Sequence, residues 1–215
     1  MFAYNEVNII NLNLSKVRTM SIILFTLLLW SCEPETISPS GGGGTYPPSY
    51  GSNIEMSTSF SNDLDDWKFK IGDSTVDVET AFMEDWDNWN FSGSGVTGAI
   101  ETDFMEDWDQ WKLTSSGHTI RMRTSFSNDW DDWDIDETTT GWHADVRTTF
   151  SNDFDDWNID FEGYHLDVRT AFSNDWDDWD ANGDFPSDLP LEHRVAVLFV
   201  PIMVGALIQA GEIEP

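Results

Sequence analysis

Six pairs of aspartates recur along the chain, the members of each pair separated by one residue: Asp63/Asp65, Asp85/Asp87, Asp107/Asp109, Asp129/Asp131, Asp153/Asp155 and Asp175/Asp177. Carboxylates at this density suit a hard cation, and Ca2+ takes such oxygens together with backbone carbonyls. No copy carries a Gly-containing DxDxDG loop, and Asn88 and Gln110 stand where other copies have a third acidic residue. The same side chains also build turns, because Asp bonds neighbouring amides and tolerates the left-handed region. The residue inside each pair is apolar: Leu64, Trp86, Trp108, Trp130, Phe154 and Trp176. If exposed, the row Trp86, Trp108, Trp130, Phe154 and Trp176 would stack on sugar rings or on an apolar partner surface. If folded back over the end of a sheet, it would be core instead. His118, His143 and His165 form a further group, and His143 and His165 each follow an aromatic residue. They offer metal ligands or ordinary loop histidines; neither Cys nor regular ligand spacing accompanies them. No GxSxG or HExxH motif is present, and the recurring residues contain no nucleophile–base pair.

The elements that carry these residues follow from an internal repeat. The string T-x-F-x-x-D-x-D-x-W occurs six times, with Phe at 60, 82, 104, 126, 150 and 172. The spacings are 22, 22, 22, 24 and 22 residues, and Thr, Phe, both Asp and the closing Trp are the same in all six. Apolar and polar residues alternate on both sides, as in Val76-Asp77-Val78-Glu79 and Trp157-Asn158-Ile159-Asp160. Period two means strands with one buried face, and an Asn/Asp-rich turn between them makes each unit a hairpin. The predicted fold is all-β: an antiparallel meander of about twelve short strands from six hairpins, curled or barrel-like, with a C-terminal apolar segment that reads as helical. A flat sheet with so broad an aromatic face could not remain in water.

A register can be assigned from charges. Phe150 opposite Trp157 sets Arg147 against Asp160, Arg123 against Asp136 and Asp103 against Lys112. Joining hairpins with Trp67 opposite Thr80 sets Lys68 against Glu79 and Lys70 against Asp77. The longer fourth spacing then brings Asp134 to Arg147, while Lys112 meets Arg123 unfavourably. Two alternatives are a parallel solenoid, which stacks like charges, and a short acidic helical turn after each first strand, capped at Ser127.

The apolar run Val195–Ile208 follows Asp188-Leu189-Pro190 and contains Pro201. As a helix it is short of a bilayer core, so it reads as a buried closing element of the repeat domain, with a second membrane anchor as the alternative.

Near the N-terminus, Met20–Trp30 is an apolar run preceded by Lys16 and Arg18 and followed by Ser31 and Cys32, the only cysteine. This is the layout of a secretory signal. Leu29-Trp30-Ser31-Cys32 resembles the lipobox of bacterial lipoproteins, although Trp30 departs from its usual pattern. The resemblance implies that Cys32 is lipidated and becomes the mature N-terminus. The organisation is then signal peptide 1–31, lipidated Cys and Pro/Ser/Gly-rich linker 32–53, six-copy repeat domain 54–185 and closing segment 186–215. Glu33 after Cys32 favours the outer membrane.

Forty Asp and Glu against 10 Lys and Arg give a net charge of −30, which excludes a nucleic-acid binder working by phosphate neutralisation. Twelve Trp exclude a solvating disordered chain. One Cys excludes an internal disulfide. Repeated, symmetric residues favour a structural or adhesive envelope protein over an enzyme, whose pocket needs unlike groups. The alternative is a Ca2+-dependent binder of glycan or envelope protein using the Asp turns and loop aromatics. An enzyme remains open only if the histidine loops line a cleft.

Overall fold

The computed structural model describes residues 53–61, 63–172 and 175–214. The proposed signal, lipobox and most of the linker lie outside these residues.

Twelve antiparallel strands follow one another around a closed barrel: β1 (Ile54–Thr58), β2 (Asp66–Ile71), β3 (Ser74–Thr80), β4 (Asn88–Gly93), β5 (Val96–Thr102), β6 (Gln110–Ser115), β7 (His118–Thr124), β8 (Asp132–Glu137), β9 (Trp142–Thr148), β10 (Asp156–Phe161), β11 (Tyr164–Thr170) and β12 (Asp178–Asn182). β1 pairs with β12, with Met56 opposite Trp179, so the sheet has no free edge. A single helix, α1 (Leu191–Ala210), follows. The meander and the apolar helix are as the sequence predicts; the solenoid and the helical turns are not present among the described residues.

Strand alternation places apolar residues inside and polar ones outside. In β2, Trp67, Phe69 and Ile71 are buried, while Lys68 and Lys70 are exposed. β7 does the same with Ile120 and Met122 against Arg121 and Arg123. The six closing Trp of the repeats form the largest part of the lining, all fully buried. Such a lumen would collapse or flood if empty, and α1 occupies it. The helix is long and apolar enough to cross a membrane, with a mean hydropathy of 1.8. Its residues from Val195 to Leu207 are nonetheless buried on every side. Phe199 meets Trp89 and Trp111 edge-on, with ring centroids 5.4 and 5.6 Å apart. Gly205 passes beneath Trp176, where a Cβ would lie 2.6 Å from the indole ring. Pro201 offers no N–H to the Val197 carbonyl, yet the helix continues through it.

The two ends of the barrel differ. One end carries tight hairpins such as Glu162–Gly163 (φ 47° and 86°), the positive-φ pair that suits the twist of a two-residue connection. The other carries the six repeat loops.

The register differs from the charge-based one by two residues. Trp157 lies opposite Thr148, not Phe150, and Trp67 lies opposite Val78 between hairpins, not Thr80. A shift of two keeps every side chain on its face but changes its partner. Lys68 meets Asp77 at 3.6 Å, Lys70 meets Glu55 at 3.1 Å and Lys112 meets Glu101 at 2.9 Å. Arg147 lies opposite Asn158 and Asp132, and Lys112 opposite Arg121. The Arg123–Asp136 pair forms at 2.7 Å, but on a diagonal, since Arg123 lies opposite Asp134. The cause is the repeat loop. In the fifth copy it takes in Phe150 and Ser151 as well as the expected turn, because it consists of two consecutive turns.

Candidate functional site

Each repeat loop begins with its Phe. The amide of the first Asp donates to the Phe carbonyl, as from Asp153 to Phe150 at 2.9 Å, closing a turn. The residue before that Asp has positive φ: Glu84, Glu106, Asn128 and Asn152 all stand at 59°. A second turn follows, as from the Asp156 amide to the Asp153 carbonyl at 3.4 Å.

This geometry explains why the repeated residues recur. The closing indole N–H donates to the carbonyl of the loop-centre residue, as from Trp89 to Trp86 at 2.9 Å and from Trp157 to Phe154 at 2.8 Å. The second Asp of the first four pairs ties its loop to the next copy. Asp109 accepts from the Thr124 and Ser127 hydroxyls at 2.9 Å each and from the Asn128 amide at 2.8 Å. Asp131 accepts likewise from Thr148, Ser151 and Asn152. Asp87 accepts from Thr102 and the Glu106 amide, and Asp65 from Thr80 and the Glu84 amide. The repeat Thr is thus a donor, the second Asp an acceptor and the Trp a core residue with a satisfied N–H.

The same ties give the second aspartates a structural role beside the cation-ligand role that their spacing suggests. At Asp155 the Oδ1 is buried, and the Thr170 amide donates to its backbone carbonyl at 3.0 Å. Asp177 receives the Thr58 amide on its carbonyl in the same way. The first members Asp85, Asp107, Asp129, Asp153 and Asp175 each spend their amide on the turn to the preceding Phe. Among the described residues, none of the twelve stands in a group of three ligand atoms close enough to share an ion. Spacing in sequence puts two carboxylates in each turn, and the second also reaches sideways to the next loop, as Asp109 does to Thr124, Ser127 and Asn128.

The loop-centre row is not the exposed surface allowed by the sequence. Phe154 is 5% exposed, and Trp86, Trp108, Trp130 and Trp176 pack against the core. Their carbonyls are held by the closing indoles, which draws these side chains inward over the barrel end. The repeat phenylalanines, expected in the core opposite the Trp, are instead outside. Phe60, Phe82, Phe104, Phe126, Phe150 and Phe172 are between 69% and 75% exposed, joined by Met83 and Met105. Each sits at the first corner of its loop, past the last strand pair, where the chain has left the period-two lattice.

The first Asp of a pair carries electrostatic strain where it crowds its neighbour. The Asp63 carboxyl is pushed up to about 6, first by hydrogen bonding with Asp65, then by burial and the charges of Asp65 and Asp66. Asp175 is raised in the same way by Asp177. A carboxyl raised on folding contributes stability that is complete in acid and is lost as pH rises through that value. Asp63→Asn is therefore expected to raise the melting temperature slightly at about pH 7.5 and to leave it unchanged near pH 3.5. Equal gains at both pH values in thermal melts would mean that carboxylate repulsion is not the cause.

The hairpin end holds a different arrangement. Glu137, at the end of β8, is buried and accepts from His118 Nδ1 at 2.8 Å, His193 Nε2 at 3.0 Å and the Thr140 hydroxyl at 2.6 Å. Burial pushes the Glu137 carboxyl up, but the bonds from Thr140, His118 and His193 outweigh it and hold the group below its ordinary value. Burial lowers His193, against the opposing pull of Glu137. Trp142 packs edge-on against His193 with centroids 4.5 Å apart. A pocket of about 210 Å³ adjoins, lined by His118, Thr140, Trp142, Glu162, Asp188 and His193 among others.

The histidines singled out in the sequence therefore separate. His118 joins the buried cluster. His143 lies on the wall 3.4 Å from Asp145. His165 is held between Asp160 at 2.7 Å and Asp167 at 3.0 Å, and Asp160 chiefly raises its imidazole above the ordinary value. His143 and His165 share a second pocket of about 350 Å³. Glu137 and His193 escaped the sequence reading. Two signals pointed to them: Glu137 continues the inward parity of Trp133 and Ile135, and His193 is a polar residue at the start of an apolar run.

No family model matches the chain, and comparison with the curated proteins and with the solved structures finds no match.

Proposed function

We propose that the chain is a lipid-anchored protein of the cell envelope whose barrel is an adhesive module, docking through its phenylalanine rim onto a basic, apolar protein surface. The observation that carries this is the exposure of a Phe that is the same in all six copies while its own neighbours vary. The repeat Thr, second Asp and Trp side chains have structural tasks in the loops; the Phe side chain has none among the described contacts. Six such side chains offer on the order of 800 Å², about one partner's share of a standard interface. The acidic loops around them favour a basic partner and disfavour both a second copy of the same rim and anionic lipid. Chain polarity fits display from a tether. The chain enters the barrel at the hairpin end, where the Gly72 amide donates to the Asn53 carbonyl at 2.6 Å, so the rim lies at the opposite end.

Placing a photoreactive benzophenone side chain at Phe104 in cells is expected to give a protein adduct that is absent with the same group at Lys70 on the wall. In Cys32→Ser, membrane fractionation and fatty-acid labelling are expected to be lost. Adducts from neither Phe104 nor Phe126 would overturn the docking reading, and retention on cell-wall glycan without protein adducts would replace the partner class. Unchanged fractionation of Cys32→Ser would overturn the anchor.

The calcium alternative retains one favourable observation, the crowding of Asp63 by Asp65 and Asp66 that raises its carboxyl, which a bound cation would relieve. Saturable heat on Ca2+ titration, lost in Asp63→Asn, would support it.

A further inference from the structure

The six copies are not equivalent at the hairpin end, and their differences converge on one place. Four residues after the closing Trp stand Ile71, Gly93, Ser115, Glu137, Phe161 and Gly183. Only the fourth copy puts a carboxylate there, 1% exposed inside the barrel. The same copy has the longer hairpin, residues 138–141, which brings Thr140 onto that carboxylate. α1 supplies His193 from its first turn, and β7 supplies His118. Elsewhere the buried lining is apolar apart from Thr148 and Thr170 near the loop end and Glu192 beside this cluster, so this is where the repeat symmetry yields to unlike groups.

We propose that His118, Glu137 and His193 bind a divalent transition-metal cation of the zinc class, with a remaining coordination position open to the adjoining pocket. The ligand atoms already stand together, within 4.8 Å of one another. The Glu137 carboxylate turns one oxygen to each imidazole, Oε1 to His118 Nδ1 at 2.8 Å and Oε2 to His193 Nε2 at 3.0 Å, so a small rotation of the carboxylate would present one oxygen to an ion between the rings. Two imidazoles and one carboxylate select zinc-like metals over Ca2+, which prefers an all-oxygen shell. Three protein ligands with a fourth place left free is the pattern of zinc sites that take a water or a substrate. Thr140 would hold the carboxylate in position, as outer-shell donors do. A second observation points to a polar occupant of the pocket. His193 Nδ1 and Trp142 Nε1 are buried without a partner among the described residues, and both side chains line that pocket. This site is at the opposite end from the rim and does not depend on the docking reading.

The test uses the full chain in detergent, stripped with a chelator and kept in excess Ca2+ to suppress weak binding of Zn2+ to surface carboxylates. Zn2+ calorimetry is expected to show one tight equivalent. Co2+ is expected to give the intense visible bands of a four-coordinate site. Glu137→Gln and His118→Gln should each weaken Zn2+ by more than ~100-fold and abolish the cobalt bands. His143→Ala, which breaks the exposed Asp134–His143–Asp145 group, should change neither. His118 is a quarter exposed, so its variant carries the test if Glu137→Gln fails to fold. Absence of a tight equivalent, or its survival in a folded His118→Gln, overturns the proposal and leaves a hydrogen-bonded network.

Discussion

Ending the chain after Pro186 is expected to abolish the fold rather than weaken it. The truncation leaves all twelve strands and every loop tie intact, so a barrel held mainly by its hydrogen-bonded ladder would survive. Its lining is the difficulty. Trp67, Trp89, Trp111, Trp133, Trp157 and Trp179 would face an open lumen in place of α1. Each large apolar side chain returned to water costs ~1.5–3 kcal/mol, and a typical domain has a net stability of only ~5–15 kcal/mol. Circular dichroism and amide exchange should show a chain without protected strands. A truncated protein with native exchange protection would mean that the sheet stands alone.

The second large effect is a contrast between two phenylalanines. Phe199→Ala removes the ring wedged between Trp89 and Trp111 and should cost ~3–5 kcal/mol. Phe150→Ala removes an equal volume from a side chain 69% exposed and should cost under ~0.5 kcal/mol. Urea melts of the two variants measure the ordering. Comparable losses would show that the rim phenylalanines support the loops, and the reason to treat them as a docking surface would disappear.

That contrast also marks what the sequence could reveal. Strands, their parity, the meander and the buried tail were legible because period-two alternation and the repeat report directly which face is apolar. The Phe–Trp exchange was not. Phe150, Phe154 and Trp157 are all large and apolar, and their order of burial depends on where the chain leaves the strand lattice. Pairing Phe150 with Trp157 assumed one turn, whereas the Asp153 amide bond to the Phe150 carbonyl shows the first of two. The register error follows from the same extra turn. Because that error is two residues, charge pairing on the wall could not expose it: Lys68 finds an acid at Asp77 as well as at Glu79. The direction of the second aspartate was equally hidden, since its donors, such as Thr124 and Ser127 for Asp109, belong to the following copy. The hairpin-end cluster was concealed by distance along the chain. Its members come from β7, β8 and α1, and 56 residues separate Glu137 from His193.

The Thr58 amide donates to the Asp177 carbonyl at 3.0 Å, which makes the first and sixth copies neighbours. Open repeat arrays can gain or lose units by duplication, since each unit touches only the next. This chain has no such freedom. A seventh copy would widen the ring beyond what one helix fills, and a ring of five would squeeze the helix against the indoles. The copy number and the girth of the plug must therefore change together. Synthesis is constrained in the same way: β1 emerges first but finds its second neighbour only when β12 is complete, so an unpaired strand edge persists for nearly the whole length of the domain.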